Sequence, residues 1–275
     1  MLNRVLFVER SGELRWLARL RTKGPEPKGC LLYTSLEKKY CTAIVLAGGS
    51  GKRMGSRVHK QYLLMGGKPV LFYSLKAFQD SDYIDEIILV TGAGEEEYCR
   101  EQILDAYGIT KVSRITAGGA ERYHSVWNGL QAADHDGYVF IHDGARPFVD
   151  DEMIKRAYKC VEQYKACAAG MPVKDTIKIV DENGFVKETP DRNTLWMIQT
   201  PQVFDASLIK EAYSRLMQKK DSGVTDDAMV VEQMLRLPVK LFQGSYENIK
   251  ITTPGDLEIG EGLLKTDCQK PRHKI

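Results

Sequence analysis

No apolar run in this 275-residue chain approaches the roughly 20 residues a membrane-spanning helix needs, so membrane insertion is not expected. The six cysteines (Cys30, Cys41, Cys99, Cys160, Cys167 and Cys268) have no CxxC spacing and no zinc-like pairing with histidine. In a chain this long they read as reduced thiols of a cytoplasmic protein, not as disulfides or metal ligands. A large charge of either sign is also missing, the formal net charge being +2. Residues 1–40 carry nine Lys/Arg against four Asp/Glu, and the rest of the chain is slightly acidic. That balance argues against a broad electrostatic footprint for nucleic acid, so any basic site must be local. With 43% hydrophobic and 28% charged residues, the composition suits a soluble globular protein built around one large α/β domain.

What stands out is Ala43-Ile44-Val45-Leu46-Ala47-Gly48-Gly49-Ser50-Gly51-Lys52-Arg53-Met54, followed by His59-Lys60-Gln61-Tyr62. A strand-like run feeds a loop that is glycine-rich, hydroxyl-bearing and basic. Glycines let backbone N–H groups approach an anion closely, and Lys52, Arg53 and Lys60 add side-chain cations. The loop is not a Walker A motif, because Arg53 follows Lys52 where Ser or Thr is needed. It is not a Rossmann fingerprint either, since Met54 stands where the third glycine belongs. A plain tight turn is the simpler reading of the glycines alone. The cations that follow favour a polyphosphate cradle.

Residues 1–40 stand apart from this pattern. Lys23-Gly24-Pro25-Glu26-Pro27-Lys28-Gly29 breaks any helix, Val5–Leu20 could form a short amphipathic helix, and Glu9 and Glu13 speak against a transit peptide. The segment is expected to be a poorly ordered extension without a functional role. From residue 41 to 268, short β-branched runs alternate with helical ones. Strands are expected at Thr42–Ala47, Glu86–Thr91, Lys111–Thr116, Tyr138–His142 and Ala168–Val173. Helices are expected at Val70–Gln79, Glu95–Tyr107, Glu121–Ala133 and Asp151–Tyr164, and residues 269–275 form a tail. The alternation predicts a Rossmann-like α/β fold, mostly parallel, with helices on both faces and a ligand site at the strand ends. Lys174–Thr189 interrupts it with two alternating runs around Asn183-Gly184, a hairpin signal. An inserted β-hairpin at about 174–190 must bury its apolar positions elsewhere. A dimerisation arm is favoured over a flap that closes on its own chain.

Further blocks are each ordinary when taken singly. In His142-Asp143-Gly144-Ala145-Arg146-Pro147, Asp143 is placed to hold Mg²⁺, or is a turn former, and Arg146 can serve as a structural ion pair. Gly118-Gly119-Ala120-Glu121-Arg122-Tyr123-His124-Ser125 puts a diglycine and a hydroxyl at a helix mouth, suited to a base edge or ribose or simply to a turn. Thr225-Asp226-Asp227-Ala228 opens a helix ending near Leu235, and Asn248-Ile249-Lys250-Ile251-Thr252 reads as a short strand.

Taken in order from Thr42 to Leu264, these blocks, with Val173-Lys174-Asp175-Thr176-Ile177-Lys178 and Thr200-Pro201-Gln202, resemble the 2-C-methyl-D-erythritol 4-phosphate cytidylyltransferase family of the non-mevalonate isoprenoid pathway. The resemblance implies a nucleotidyltransferase-A-like fold, CTP and methylerythritol phosphate as substrates, and Mg²⁺ or another divalent cation as cofactor. By the same resemblance, Arg53, Lys60 and Lys250 are catalytic, and Ala47, Gly48, Gly49, Ser50, Gly51, Gly118, Gly119, Ser125 and Gly144 bind the nucleotide. It makes Asp143 the metal ligand. Asp143, Arg146, Thr176, Arg192 and Lys250 bind substrate, Thr176 and Arg192 from the partner subunit of a homodimer. His59 stands where the family usually has proline, and Ala120 where some members have Asp. A ribitol-5-phosphate cytidylyltransferase and a catalytically silent nucleotide-binding regulator are the alternative readings.

Overall fold

A computed structural model describes residues 3–8, 14–19, 38–49, 59–219 and 223–267, and its contacts divide the chain into residues 1–38 and 39–275. In the first unit β1 (Asn3–Val8) and β2 (Leu14–Arg19) pair antiparallel, with Val5 opposite Leu17 and Leu6 opposite Trp16. The short amphipathic helix that Val5–Leu20 could have formed is replaced by strands at the described residues 3–8 and 14–19. Val5-Leu6-Phe7-Val8 is dense in β-branched and aromatic residues, and Ser11-Gly12 falls where a helix would have to continue.

The second unit runs β3 (Cys41–Ala47), β4 (Leu64–Met65), β5 (Lys68–Pro69), α1 (Val70–Asp80), β6 (Glu86–Thr91) and α2 (Glu96–Cys99), which continues as a π-helical turn over Arg100–Asp105. There follow β7 (Val112–Ala117), α3 (Arg122–Ala132), β8 (Tyr138–Asp143), α4 (Asp151–Tyr164) and β9 (Ala166–Pro172). After the arm strands β10 (Ile179–Val180) and β11 (Val186–Glu188) come β12 (Trp196–Asp205), α5 (Ala206–Leu216), α6 (Asp227–Leu235), β13 (Lys240–Gln243) and α7 (Pro254–Asp267).

Seven strands form the central sheet in the order β13-β9-β12-β8-β3-β6-β7. β3 lies parallel to β6 and β8, β6 to β7, and β13 to β9, whereas β12 is antiparallel to both β8 and β9. The sheet is mostly parallel, as expected, with one strand running against it. That strand is hard to foresee because Pro201 sits inside it and cannot donate to a ladder. The pairing of β12 with β9 shifts register between Ile198 and Gln202, where the proline falls.

Side-chain alternation sends β3 residues to two cores. Ala43 and Val45 pack with Leu75 and Phe78 of α1 and Met153 of α4, while Ile44 packs with Leu130 of α3, Ile209 of α5 and Val230 of α6. Covered on both faces, β6 and β8 are buried along their whole length, which is why they read as continuous apolar runs.

Two local expectations change. Residues 248–252 are irregular where a short strand was expected, tied to the body by Ile251 N–H donating to Ala145 O at 2.8 Å. The Asn248 carbonyl accepts from Arg146 Nη1 and its side-chain amide donates to Thr200 O, both at 2.8 Å, so the segment is held by side chains and a lone backbone bond to Ala145, not by a ladder. The hairpin is present but its paired strands are short. Gly184 takes φ +84°, and Asp181 Oδ1 accepts from the N–H groups of Asn183 and Phe185, both at 2.9 Å.

Candidate active site

The parallel strands bring the C-terminal ends of β3, β6, β7 and β8 to one edge of the sheet, where α/β proteins place their ligands. The carbonyl of Thr91, at the end of β6, joins the two glycine-rich segments. Gly118 N–H donates to it at 2.7 Å. A Cβ on Gly48 would lie 3.0 Å from that oxygen and a Cβ on Gly118 3.1 Å from it, so neither position has room for a side chain. Ser125 braces the same turn: its hydroxyl accepts from Gly119 N–H at 3.1 Å and donates to Glu121 O at 3.3 Å.

Asp143, on the last residue of β8, is the electrostatic centre and is 7% exposed. Its Oδ2 lies 2.7 Å from Lys250 Nζ and 3.8 Å from Arg146 Nε, and its Oδ1 lies 3.3 Å from Arg122 Nε. Burial pushes the carboxyl up, but Arg122, Lys250 and Arg146 together hold it well below the usual carboxylate range. Arg122 is itself pinned. Nη1 and Nη2 donate to the two oxygens of Asp227 at 2.9 and 2.8 Å, and Asp227, at 0% exposure, also accepts from Tyr213 Oη at 2.5 Å. Burial alone would lower the Arg122 guanidinium, yet Asp227 and Asp143 raise it well above its ordinary value.

Behind Asp143 the polar groups are matched one to one. Its N–H donates to Thr200 Oγ1 at 3.1 Å, and His142 Nε2 lies 3.1 Å from Arg146 O. A carbonyl only accepts, so Nε2 carries the proton, and His142 Nδ1 accepts from the Thr200 hydroxyl at 3.1 Å. Burial pushes the His142 imidazole down to about 4, consistent with this neutral form. Gln202 Nε2 donates to Asp226 Oδ2 at 3.0 Å and Gln202 Oε1 accepts from Ala228 N–H at 2.8 Å, fixing the start of α6 and so Asp227.

Lys60 opens a short 3-10 turn, Lys60–Tyr62, and its Cε lies 3.9 Å from the place a Cβ on Gly49 would take. Its side chain therefore runs past Gly49. Gln61, almost fully buried, ties the turn to β3 by donating to Ala47 O.

The structure thus gathers Ala47, Gly48, Gly49, Lys60, Gly118, Gly119, Ser125, Asp143, Gly144, Arg146 and Lys250 at the strand ends. Ser50, Gly51 and Arg53 lie outside the described residues. Thr176 and Arg192 are exposed on the arm side, where Arg192 Nη1 donates to Lys174 O at 3.0 Å. Among the described residues, the cations around Asp143 come from α3, the turn after β8 and residues 248–252, and none from the arm. Sequence reasoning assigned no role to Arg122, Asp227, Thr200 or Asn248. The only signal was that each lies inside a block already singled out.

Comparison with known proteins fits this geometry. A family model described as IspD, 2-C-methyl-D-erythritol 4-phosphate cytidylyltransferase, matches residues 41–266. The chain is 55% identical over 225 residues to a protein of that name from Lachnospira eligens, covering 82% of this chain and 99% of the relative. A relative of the same name from Caldanaerobacter subterraneus is 48% identical, with 82% and 98% covered. Among solved structures, a 4-diphosphocytidyl-2C-methyl-D-erythritol synthase from Anaerococcus prevotii superposes with a TM-score of 0.74 at 35% identity, covering 83% of this chain and 97% of that one.

The buried Arg122–Asp227 fork carries a stability prediction. Asp227→Asn leaves a guanidinium facing a neutral partner and is expected to cost about 3–5 kcal/mol in urea unfolding. A loss below about 1 kcal/mol, the range of an exposed pair, would contradict that reading.

Proposed function

The chain belongs to the 2-C-methyl-D-erythritol 4-phosphate cytidylyltransferase family, and from that premise we propose that it transfers a cytidylyl group from CTP to 2-C-methyl-D-erythritol 4-phosphate, releasing pyrophosphate. The observation that carries this reading is the ionised Asp143 at a strand end, ringed by Arg122, Arg146 and Lys250.

In this reaction a phosphate oxygen of the acceptor bonds to the α-phosphorus of CTP as the bond to the β-phosphate oxygen breaks. Both reactants are anions, so charge repulsion and charge accumulating around phosphorus dominate the barrier. Fixed cations lower it without a protein nucleophile. Lys250 can supply such a cation because it reaches Asp143 through one nitrogen and can turn toward a phosphate oxygen, while Arg146, held by Nη1 donating to Asn248 O, adds fixed positive charge beside it. Arg122 cannot turn, since both its terminal nitrogens are held by Asp227. Lys60, lying beside Gly49, is placed for the triphosphate, and Arg53 is assigned the same work from the opposite end of the glycine loop. Backbone groups at Ala47–Gly51, Gly118, Gly119 and Gly144, with Ser125 bracing its turn, would receive the nucleoside and the phosphates.

The donor set is compatible with Mg²⁺. Among the described residues no group of three or more His, Cys, Asp or Glu side chains forms a metal cage. Mg²⁺ needs only one or two carboxylates when phosphates and water complete its shell. Asp143, a hard oxygen donor held ionised, would hold it, and the bound ion adds charge neutralisation at the phosphates.

Partner and compartment belong to the same reading. The arm and the neighbouring end of β12 expose Ile177, Ile179, Val180, Phe185, Val186 and Trp196, with Phe185 at 73%. So much clustered apolar surface supports a homodimer built through the arm, with Thr176 and Arg192 serving the partner's site. Free thiols at Cys99, Cys160 and Cys167 support a cytoplasmic setting.

Pyrophosphate release is expected only when CTP, a divalent cation and methylerythritol phosphate are supplied together. Comparable turnover with ribitol 5-phosphate would overturn the acceptor assignment. For the arm, mixing inactive Arg192→Ala and Lys60→Ala chains is expected to restore activity through heterodimers in which one of the two sites is intact. Persistent inactivity in mixtures shown to exchange subunits would rule out a shared site.

A further inference from the structure

Lys60 is placed by a three-residue turn that has few backbone bonds of its own: Tyr62 N–H donates to His59 O at 2.9 Å and Leu63 N–H to Lys60 O at 3.4 Å. Gln61 ties the middle of the turn to β3, and a side chain from outside the turn grips it on both flanks of the lysine. Glu95, just before α2, sends Oε1 to within 2.5 Å of His59 Nδ1, and its Oε2 accepts from Tyr62 Oη at 2.8 Å. The His59 contact is a close approach without the alignment of a hydrogen bond, so the Tyr62 bond is the directional half of the grip.

Glu95 is in turn immobilised. Its Oε2 also accepts from Gly92 N–H at 3.1 Å, while its own N–H donates to Gly92 O at 3.1 Å. A Cβ on Gly92 would fall 2.6 Å from Glu95 Oε2, so the carboxylate folds back over a position that only glycine leaves open. Gly92 directly follows the last residue of β6, so the clamp is anchored to the central sheet. Burial, with Cys99 and Glu95 beside it, raises the Tyr62 phenol, which therefore keeps its proton and donates. Cys99 Sγ lies 3.1 Å from the same oxygen, and burial pushes that thiol up to about 11.

We propose that Glu95 is a positioning residue for Lys60: by holding His59 and Tyr62 it fixes the turn between them and so keeps the lysine beside Gly49. This rests on the reading of Lys60 as a catalytic cation. The carboxylate itself takes no part in the chemistry. What it supplies is restraint on a short segment, and near a transferring phosphoryl group a displacement of the order of 1 Å costs roughly 100-fold in rate.

The backbone at His59 suggests how to separate restraint from any other role. Its φ of −63° and ψ of 140° are those of proline, and its carbonyl, which accepts from Tyr62, would be retained in a proline. His59→Pro should therefore stiffen the turn without Glu95.

The test measures kcat, KM for CTP and the thermal midpoint for Glu95→Ala, Glu95→Gln, Glu95→Ala/His59→Pro and Lys60→Ala. Glu95→Ala is expected to lower kcat by about 10- to 100-fold with KM for CTP changed by less than about threefold. Glu95→Gln, which keeps an acceptor for Tyr62 and Gly92, is expected to stay near the parent rate, as a general base would not. Adding His59→Pro to Glu95→Ala is expected to recover about tenfold or more of the lost kcat. Parent-like kcat in Glu95→Ala, inactivity in Glu95→Gln with an unchanged midpoint, or no recovery in the double variant would each overturn the proposal. If Glu95→Ala fails to fold, the Glu95→Gln result decides alone. Parent-like turnover in Lys60→Ala would instead refute the role of Lys60, a result distinguishable from failure of the clamp.

Discussion

A carboxylate that is 7% exposed cannot stay ionised without compensation, and the arrangement of the site follows from how Asp143 obtains it. Three cations approach it, but they are not equivalent. Arg122 is held by a fully buried partner, Asp227, and is a permanent part of the fold. Arg146 is held as well, its Nη1 donating to Asn248 O, whereas Lys250 approaches from a loop segment through its one nitrogen. Two cations therefore keep Asp143 charged, and the proposed role leaves Lys250 as the one that can exchange the carboxylate for an incoming phosphate. A site built for polyanions needs this asymmetry, because cations bound too firmly to protein acids cannot serve a ligand.

The supporting layers are arranged around that requirement. Gln202 positions the start of α6, α6 positions Asp227, and Asp227 positions Arg122. Thr200 and His142 fix the backbone of Asp143 from behind, and Asn248 draws residues 248–252 close enough for Lys250 to arrive. The bonded pairs among these groups are up to 107 residues apart in sequence. They meet because β12, running against its neighbours, inserts Thr200 and Gln202 beside β8.

Much of the frame was legible beforehand, since strands buried on both faces and helices buried on one leave different apolar periods. Thr42–Ala47, Glu86–Thr91 and Asp151–Tyr164 were readable in this way. Trp196–Asp205 was not, because Pro201 masks a strand whose register shift accommodates it. Asn248–Thr252 misled for the opposite reason: its apolar alternation resembles a strand, but its polar groups are committed to Arg146 and Thr200. The same limit applies to the site. Gly118 and Asp143 stood in blocks with recognisable chemistry and Lys250 gained a role through the family resemblance, whereas Asp227 and Glu95 were given no role beyond opening helices. Their roles depend on partners that only the fold supplies.

The most direct measurement is a crystal structure with CTP and a divalent cation bound. The triphosphate is expected against the backbone of Ala47–Gly49, in contact with Lys60 and Lys250, with Asp143 facing the cation and Arg122 still forked onto Asp227. A triphosphate seated away from Asp143, or an Arg122 that leaves Asp227 to bind it, would contradict the division between fixed cations and the one that exchanges.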